Sequence, residues 1–283
     1  MLYKYASESG IPRILRDQKL AFTSIAELND PFEGGIDMSE LEEEQWGRFD
    51  EFALRAISEH TGLPANSDSV AAFKALLAKK GISEDHMRDV NKMTAWHSMV
   101  QKFRGVGILS LTTKPDDILM WAHYSDEFKG LVIGFDEKSI PFSNSELCRI
   151  KGPHPVNYAT NRANASGASL EDRVRAICLT KSSCWQYESE VRCLRHVPPG
   201  QPRVTAHVPT EAVLEIILGP RMPRKVMEQI RDLLSKFARA KLKLAVPSPS
   251  KFRLEIKPLP PAGISDLMLE PASSIDAIDF TTL

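Results

Sequence analysis

Apolar and polar positions along this chain first alternate with a period of two, then recur with a period near 3.6, then return to two. The first pattern predicts strands at residues 2–5 and 19–24, with a short helix from Ile11 that carries Pro12 in its first turn. The turn-forming run Asn29-Asp30-Pro31-Phe32-Glu33-Gly34-Gly35 follows, a rigid corner carrying two carboxylates. Residues 39–100 are rich in Glu, Ala, Leu and Lys at helical spacing and predict two or three amphipathic helices, broken near Pro64 and Gly81. Strands are predicted again at 106–112, 130–135, 185–194, 212–220, 241–246 and 252–256. Helices are predicted at 116–124, 170–179 and 225–240. The 130–135 run is apolar throughout, as in a strand covered on both faces. The tail after Pro258 is proline-rich, then apolar, and is expected to lie along the surface. Short strands separated by unequal helical segments predict an α+β fold. Its sheet is mixed or mainly antiparallel, with a helical insertion after the first strands, within a single domain 1–283.

Composition narrows the function classes. A chain of 283 residues with 42% hydrophobic content can bury a substantial core. Its 36 basic and 37 acidic residues give a formal charge of -1, so no global field draws it onto nucleic acid or an anionic membrane. A local basic groove would still suffice for nucleic acid, which stays open as a partner. No run of 18 apolar residues occurs and the start lacks the basic-then-apolar order of a leader, so the expectation is a cytoplasmic protein with no membrane partner. Cys148, Cys178, Cys184 and Cys193 form no disulfide framework and no C-x-x-C pair. They read as scattered buried thiols, and no metal is assigned. Walker, G-x-G-x-x-G, G-x-S-x-G, H-E-x-x-H and zinc-deaminase motifs do not occur.

What remains is a set of polar and aromatic clusters, of which the densest is Lys181-Ser182-Ser183-Cys184-Trp185-Gln186-Tyr187-Glu188-Ser189-Glu190-Val191-Arg192. In a strand, Glu188, Glu190 and Arg192 share one face, and Tyr187, Ser189, Val191 and Cys193 the other. Such a charged face fits a solvated outer strand or a strand lining a polar cleft. His123 and Tyr124 end a helix, where side chains often enter a cleft.

Four clusters in order carry a resemblance: Leu2-Tyr3-Lys4-Tyr5; Asn29-Asp30-Pro31-Phe32-Glu33; Leu119-Met120-Trp121-Ala122-His123-Tyr124 with Lys129 to Asp136; and Trp185 to Arg192. Over residues 2 to about 256 the chain resembles DUF2971, a bacterial family of unknown function, which implies no activity. More distantly, a basic residue on an early strand, then Ser110-Leu111-Thr112, then Glu188-Ser189-Glu190, is similar to the ordered motifs of toxin-type ADP-ribosyltransferases. Lys4 stands where those have His or Arg.

That likeness implies NAD as substrate for an ADP-ribosyltransferase or NAD glycohydrolase, acting as a toxin or defence effector. Glu190 would bond the ribose 2′-OH and stabilise an oxocarbenium-like centre, Glu188 would orient or deprotonate the nucleophile, and His123 completes the catalytic candidates. The NAD-contacting candidates are Tyr3, Lys4, Tyr5, Asn29, Asp30, Ser110, Thr112, Trp121, Tyr124 and Arg192. Trp121 or Tyr124 would stack on nicotinamide, and Ser110 would support Glu190.

Two alternatives stand beside this. One is a nucleic-acid-processing enzyme using His123, Asp30, Glu188 and Arg192. The other is a non-catalytic binding or assembly module in which the charged strand is a salt-bridge face and Trp121 and Trp185 are core aromatics. Convergence of Tyr5, Asn29, His123 and Glu190 on one concave pocket favours an enzyme, and dispersal favours the module.

Overall fold

The computed structural model describes residues 1–35, 37, 101, 103–139, 142, 146, 147, 149–163 and 169–259, with a few positions between 58 and 89. Apart from those positions and Leu259, the helical block expected at 39–100 and the tail after Pro258 lie outside the described residues.

The described chain is α+β, and the elements whose bounds lie within the described residues include three α-helices and fourteen strands. The strands are β1 (Leu2–Ala6), β2 (Lys19–Ser24), β3 (Val106–Thr112), β4 (Leu131–Phe135), β5 (Glu146–Leu147), β6 (Ile150–Lys151), β7 (His154–Pro155), β8 (Asn157–Ala159), β9 (Thr180–Ser182), β10 (Glu190–His196), β11 (Arg203–His207), β12 (Val213–Leu218), β13 (Lys241–Pro247) and β14 (Leu254–Pro258). The helices are α1 (Ile118–Tyr124), α2 (Leu170–Cys178) and α3 (Arg224–Leu234). A π-helical turn, Pro12–Arg16, stands where the short early helix was expected.

Ten strands form one sheet in the order β11-β2-β3-β1-β4-β12-β13-β14, with β10 on β3 and β7 on β10. Its pairs are antiparallel except β12 with β13, which the α3 crossover joins in parallel. The runs read as strands from their apolar content form its middle. Every residue of β4 is buried, because Val132 and Ile217 pack beneath Trp121 on one face while Ile133 and Ile216 join Ile230 of α3 on the other. A further cluster of Ile25, Ile108, Val174, Ile177 and Leu194 seats α2. Asp117 caps α1, its Oδ1 accepting the Leu119 and Met120 amides.

Two expectations are corrected. The strand read at 185–194 begins only at Glu190: Ser183–Glu188 is a 3₁₀ helix, and Ser189 turns left-handed (φ 44°) between the two. The Trp-x-Tyr-x-Ser alternation mimics a strand but is produced by a turn, so Glu188 does not share the strand face of Glu190. The edge strand β11, paired to β2 through Arg203↔Thr23 to His207↔Lys19, was not read at all, because it buries little and its pattern is mostly polar.

The topology that creates the site is a fork at β3. Along its whole length one edge of β3 pairs with β10. On the other edge its partner is β2 at Gly107 and Ile108 but β1 at Thr112, so β1 and β2 part around Ser110. Lys4 of β1 reaches across this opening, its Nζ donating to the Ser110 carbonyl at 2.9 Å.

β1 is fixed from the other side by backbone contact at Gly130, where an added Cβ would lie 2.0 Å from the Ala6 carbonyl oxygen. Gly130→Ala is therefore expected to lower stability by about 3 kcal/mol, the upper end for overpacking. Urea denaturation measures it, and an unchanged midpoint would contradict the close approach.

Candidate functional site

Five buried ionisable side chains meet beside the fork: Glu33 from the turn after β2, Lys181 of β9, Glu188 from the 3₁₀ helix, and Glu190 and Arg192 of β10. Arg192, 1% exposed, organises them. Its Nε and one terminal nitrogen donate to the two oxygens of Glu190 at 2.9 and 2.8 Å, and its terminal nitrogens also reach the two oxygens of Glu33 at 2.9 and 2.6 Å. A further donation to the Cys178 carbonyl at 2.7 Å occupies the last of the five guanidinium N–H groups. Lys181 Nζ lies 2.6 Å from Glu188, 3.3 Å from Glu190 and 3.5 Å from Glu33. Three carboxylates thus face two cations, with Lys4 close enough for Glu190 and Glu188 to act on its charge.

The electrostatics follow from this. Burial alone would raise the Glu190 pKa, but the charge and hydrogen bonds of Arg192, then Lys181 and a Ser110 hydrogen bond, bring it from 4.5 down to about 2. Burial opposes the charge on Arg192, yet Glu190 and Glu33 more than offset it and push its pKa up. Lys181 is likewise raised, burial being outweighed by Glu190 and Glu188. At Lys4 burial wins, and its pKa is lowered against the pull of the same two carboxylates.

The cluster forms one wall of a cavity of about 320 Å³ that also takes in Tyr3, Lys4, Tyr5, Asn29, Ser110, Thr112 and Tyr124. Ten of the thirteen candidates from the sequence therefore line one cavity. Tyr124 donates to Glu188 Oε1 at 2.6 Å and is hydrogen-bonded by the Asn29 side chain. Burial, then Glu188, raises its pKa. Several lining groups have structural partners of their own. Tyr5 donates to the Lys114 carbonyl, and burial raises its pKa. Tyr3 donates to Glu215 Oε2 at 3.3 Å and is pushed up to about 12 by burial and that carboxylate. Thr112 Oγ1 donates to the Glu188 carbonyl at 2.6 Å and holds the 3₁₀ helix against β3.

Three candidates do not line this cavity. Trp121 is fully buried in the core, donating to the Pro115 carbonyl and meeting Tyr5 edge to face at 5.5 Å. His123 sits beside Tyr124 with ring centroids 6.3 Å apart and is not among the residues lining the cavity. Asp30 closes the turn, its Oδ1 accepting the Phe32 amide at 2.8 Å.

Sequence reasoning missed Glu33, Lys181 and Tyr158 as site residues. Tyr158 accepts the Glu190 amide at 2.8 Å, and burial pushes its pKa up to about 12. The available signal was the acidic corner at residues 30–33 and a lysine at the head of the Glu-x-Glu cluster.

Fold and site together define an α+β protein whose forked sheet presents a buried, charge-compensated carboxylate cluster to a cavity. Residues 120–193 match the family model described as "Protein of unknown function (DUF2971)". That segment contains the Trp121, Gly130–Asp136 and Trp185–Arg192 clusters, whereas those at 2–5 and 29–33 precede it. No curated protein and no solved structure matches the chain.

The Glu190 shift has a sign that can be tested. Its folded pKa lies below its unfolded value, so its contribution is complete above about pH 4.5 and is lost as pH falls toward 2. The shift corresponds to roughly 3 kcal/mol. Denaturant unfolding from pH 6 to 2.5 is expected to show a smaller fall in stability for Glu190→Gln than for the parent protein, and parallel profiles would count against the ion pair.

Proposed function

We propose that the forked-sheet cavity binds NAD and cleaves its nicotinamide–ribose bond, as a glycohydrolase or an ADP-ribosyltransferase. The observation that carries this reading is a cavity of about 320 Å³ faced by a carboxylate held ionised, with a second carboxylate beside it. In this reaction the C1′–N bond breaks, nicotinamide leaves neutral with the bonding electrons, and positive charge develops at C1′ and the ring oxygen. A fixed, poorly solvated anion stabilises that charge without reorganising.

Hydrogen-bond capacity divides the two carboxylates differently from the sequence expectation. Glu190 already accepts from Arg192 at both oxygens, from Lys181 and from Ser110, which uses its lone-pair positions. Its contribution is the field. Glu188 accepts one bond at each oxygen, from Tyr124 and Lys181, which leaves acceptor positions open among the described residues. Glu188 therefore bonds a ribose hydroxyl or takes the proton of the nucleophile that adds to C1′. Tyr124 orients Glu188 and offers an aromatic ring to the nicotinamide.

The internal satisfaction of Arg192 and Glu190 also favours a second reading, a non-catalytic module held together by the cluster. One experiment separates them. Purified protein with NAD and cell lysate is expected to release nicotinamide, and Glu188→Gln to reduce the rate about 100-fold or more while keeping the melting temperature within a few degrees. Absence of both NAD binding and nicotinamide release, with Glu188→Gln altering only thermal stability, would establish the module instead.

A further inference from the structure

A second cavity, of about 490 Å³, lies on the other side of the Glu33–Lys181 pair, and both of those residues line it as well as the first. Phe32 and Trp185 also line it. Phe32 is 64% exposed, an unusual position for a phenylalanine in a rigid turn. Two constraints hold it there: its amide is bound to Asp30, and the next residue, Glu33, is clamped by Arg192. The turn backbone thus carries the ring outward from a fixed position. Each aromatic has a cation over its face, Arg162 at 5.5 Å from the Phe32 centroid and Lys181 Nζ at 4.9 Å from Trp185. Asn161 is exposed on the same cavity, and its side-chain amide makes no hydrogen bond among the described residues.

We infer that this cavity binds the adenine base of a nucleotide, stacked on Phe32 and Trp185. Stacking is favoured where the backbone that carries the ring is already fixed, which the Asp30 turn supplies for Phe32. A carboxamide N–H and C=O match the N7 and N6–H of adenine, an edge on which cytosine presents only its N4 donor, and Asn161 places a carboxamide here. Arg162, beside Phe32, favours the phosphate attached to the base, while Lys181 is already held by three carboxylates. Linkage of the two cavities through Lys181 rests on the NAD reading, under which one dinucleotide spans both; the adenine site stands without it.

AMP binding, followed by titration calorimetry with CMP as comparison, tests the inference. The protein is expected to bind AMP more tightly than CMP, with Phe32→Ala and Trp185→Ala each weakening AMP about tenfold and Asn161→Ala removing the preference. Cys184 gives an independent readout when its own peptide is followed: contrary to the expectation of buried thiols it is exposed on this cavity, while Cys178 and Cys193 are buried. Bound AMP is expected to slow its alkylation. Nicotinamide release and AMP binding are measured on the same protein, so failure of the NAD reading alone would appear as absent nicotinamide release with AMP binding intact. No AMP binding, or binding that Phe32→Ala and Trp185→Ala leave untouched, overturns the adenine site.

Discussion

The fork of Arg192 between Glu33 and Glu190 is the interaction around which the site is arranged. It joins residues 159 positions apart in the chain and ties the turn after β2 to strand β10. A buried guanidinium is tolerable only if its donors are all used, and here all five are. The consequence reaches past Arg192 itself. Because Glu33 is committed, the 30–33 turn has one geometry, and because Glu190 is committed, its negative charge is fixed in place at any pH well above 2. Removal of either partner would leave a charge stranded in the interior, so the cluster behaves as a unit.

Lys181 has a different part. It touches Glu33, Glu188 and Glu190 and also lies against Trp185, so among the described residues it is the cation shared by the two cavities. Lys4 completes the charge pattern from the opposite strand. Its ammonium stands where β1 and β2 separate and is bound to the Ser110 carbonyl, so a polar group occupies the opening of the sheet in place of a further strand contact. An entering polar ligand meets lysines and carboxylates that already balance one another, which keeps the cost of its own desolvation low.

The fold was legible where the chain itself carries the signal. β3, β4, β12, β13 and α1 announce themselves through apolar runs or amphipathic spacing, and all five occur within a few residues of expectation. Legibility failed where structure depends on distant partners. β11 exists as a strand because β2 offers it an edge, a fact its own polar residues do not record. Eight of the ten candidates that line the cavity belong to the four ordered clusters, and Ser110 and Thr112 to the Ser110-Leu111-Thr112 motif, so their grouping was written in local sequence. Glu33 and Lys181 could not be ranked, since their importance comes from meeting Arg192 and Glu188 across the fold. Trp121 and His123 illustrate the opposite failure: helical neighbours of Tyr124, they carry suggestive chemistry, but α1 turns Trp121 into the core and leaves His123 off the cavity wall.

The left-handed Ser189 explains how two glutamates two positions apart acquire different environments. On a continuous strand Glu188 and Glu190 would share a face at about 7 Å spacing along the chain and would compete for the same cations. The reversal at Ser189, φ 44° and ψ 48°, ends the 3₁₀ helix and starts β10, so each carboxylate approaches from its own element. Glu190 falls under Arg192, and Glu188 falls under Tyr124 and Lys181. A left-handed serine costs on the order of 1 kcal/mol, and its amide bond to the Gln186 carbonyl with the Thr113 amide on its own carbonyl holds it there. That small strain separates a saturated anion, suited to fixing a field, from an unsaturated one, suited to meeting a ligand.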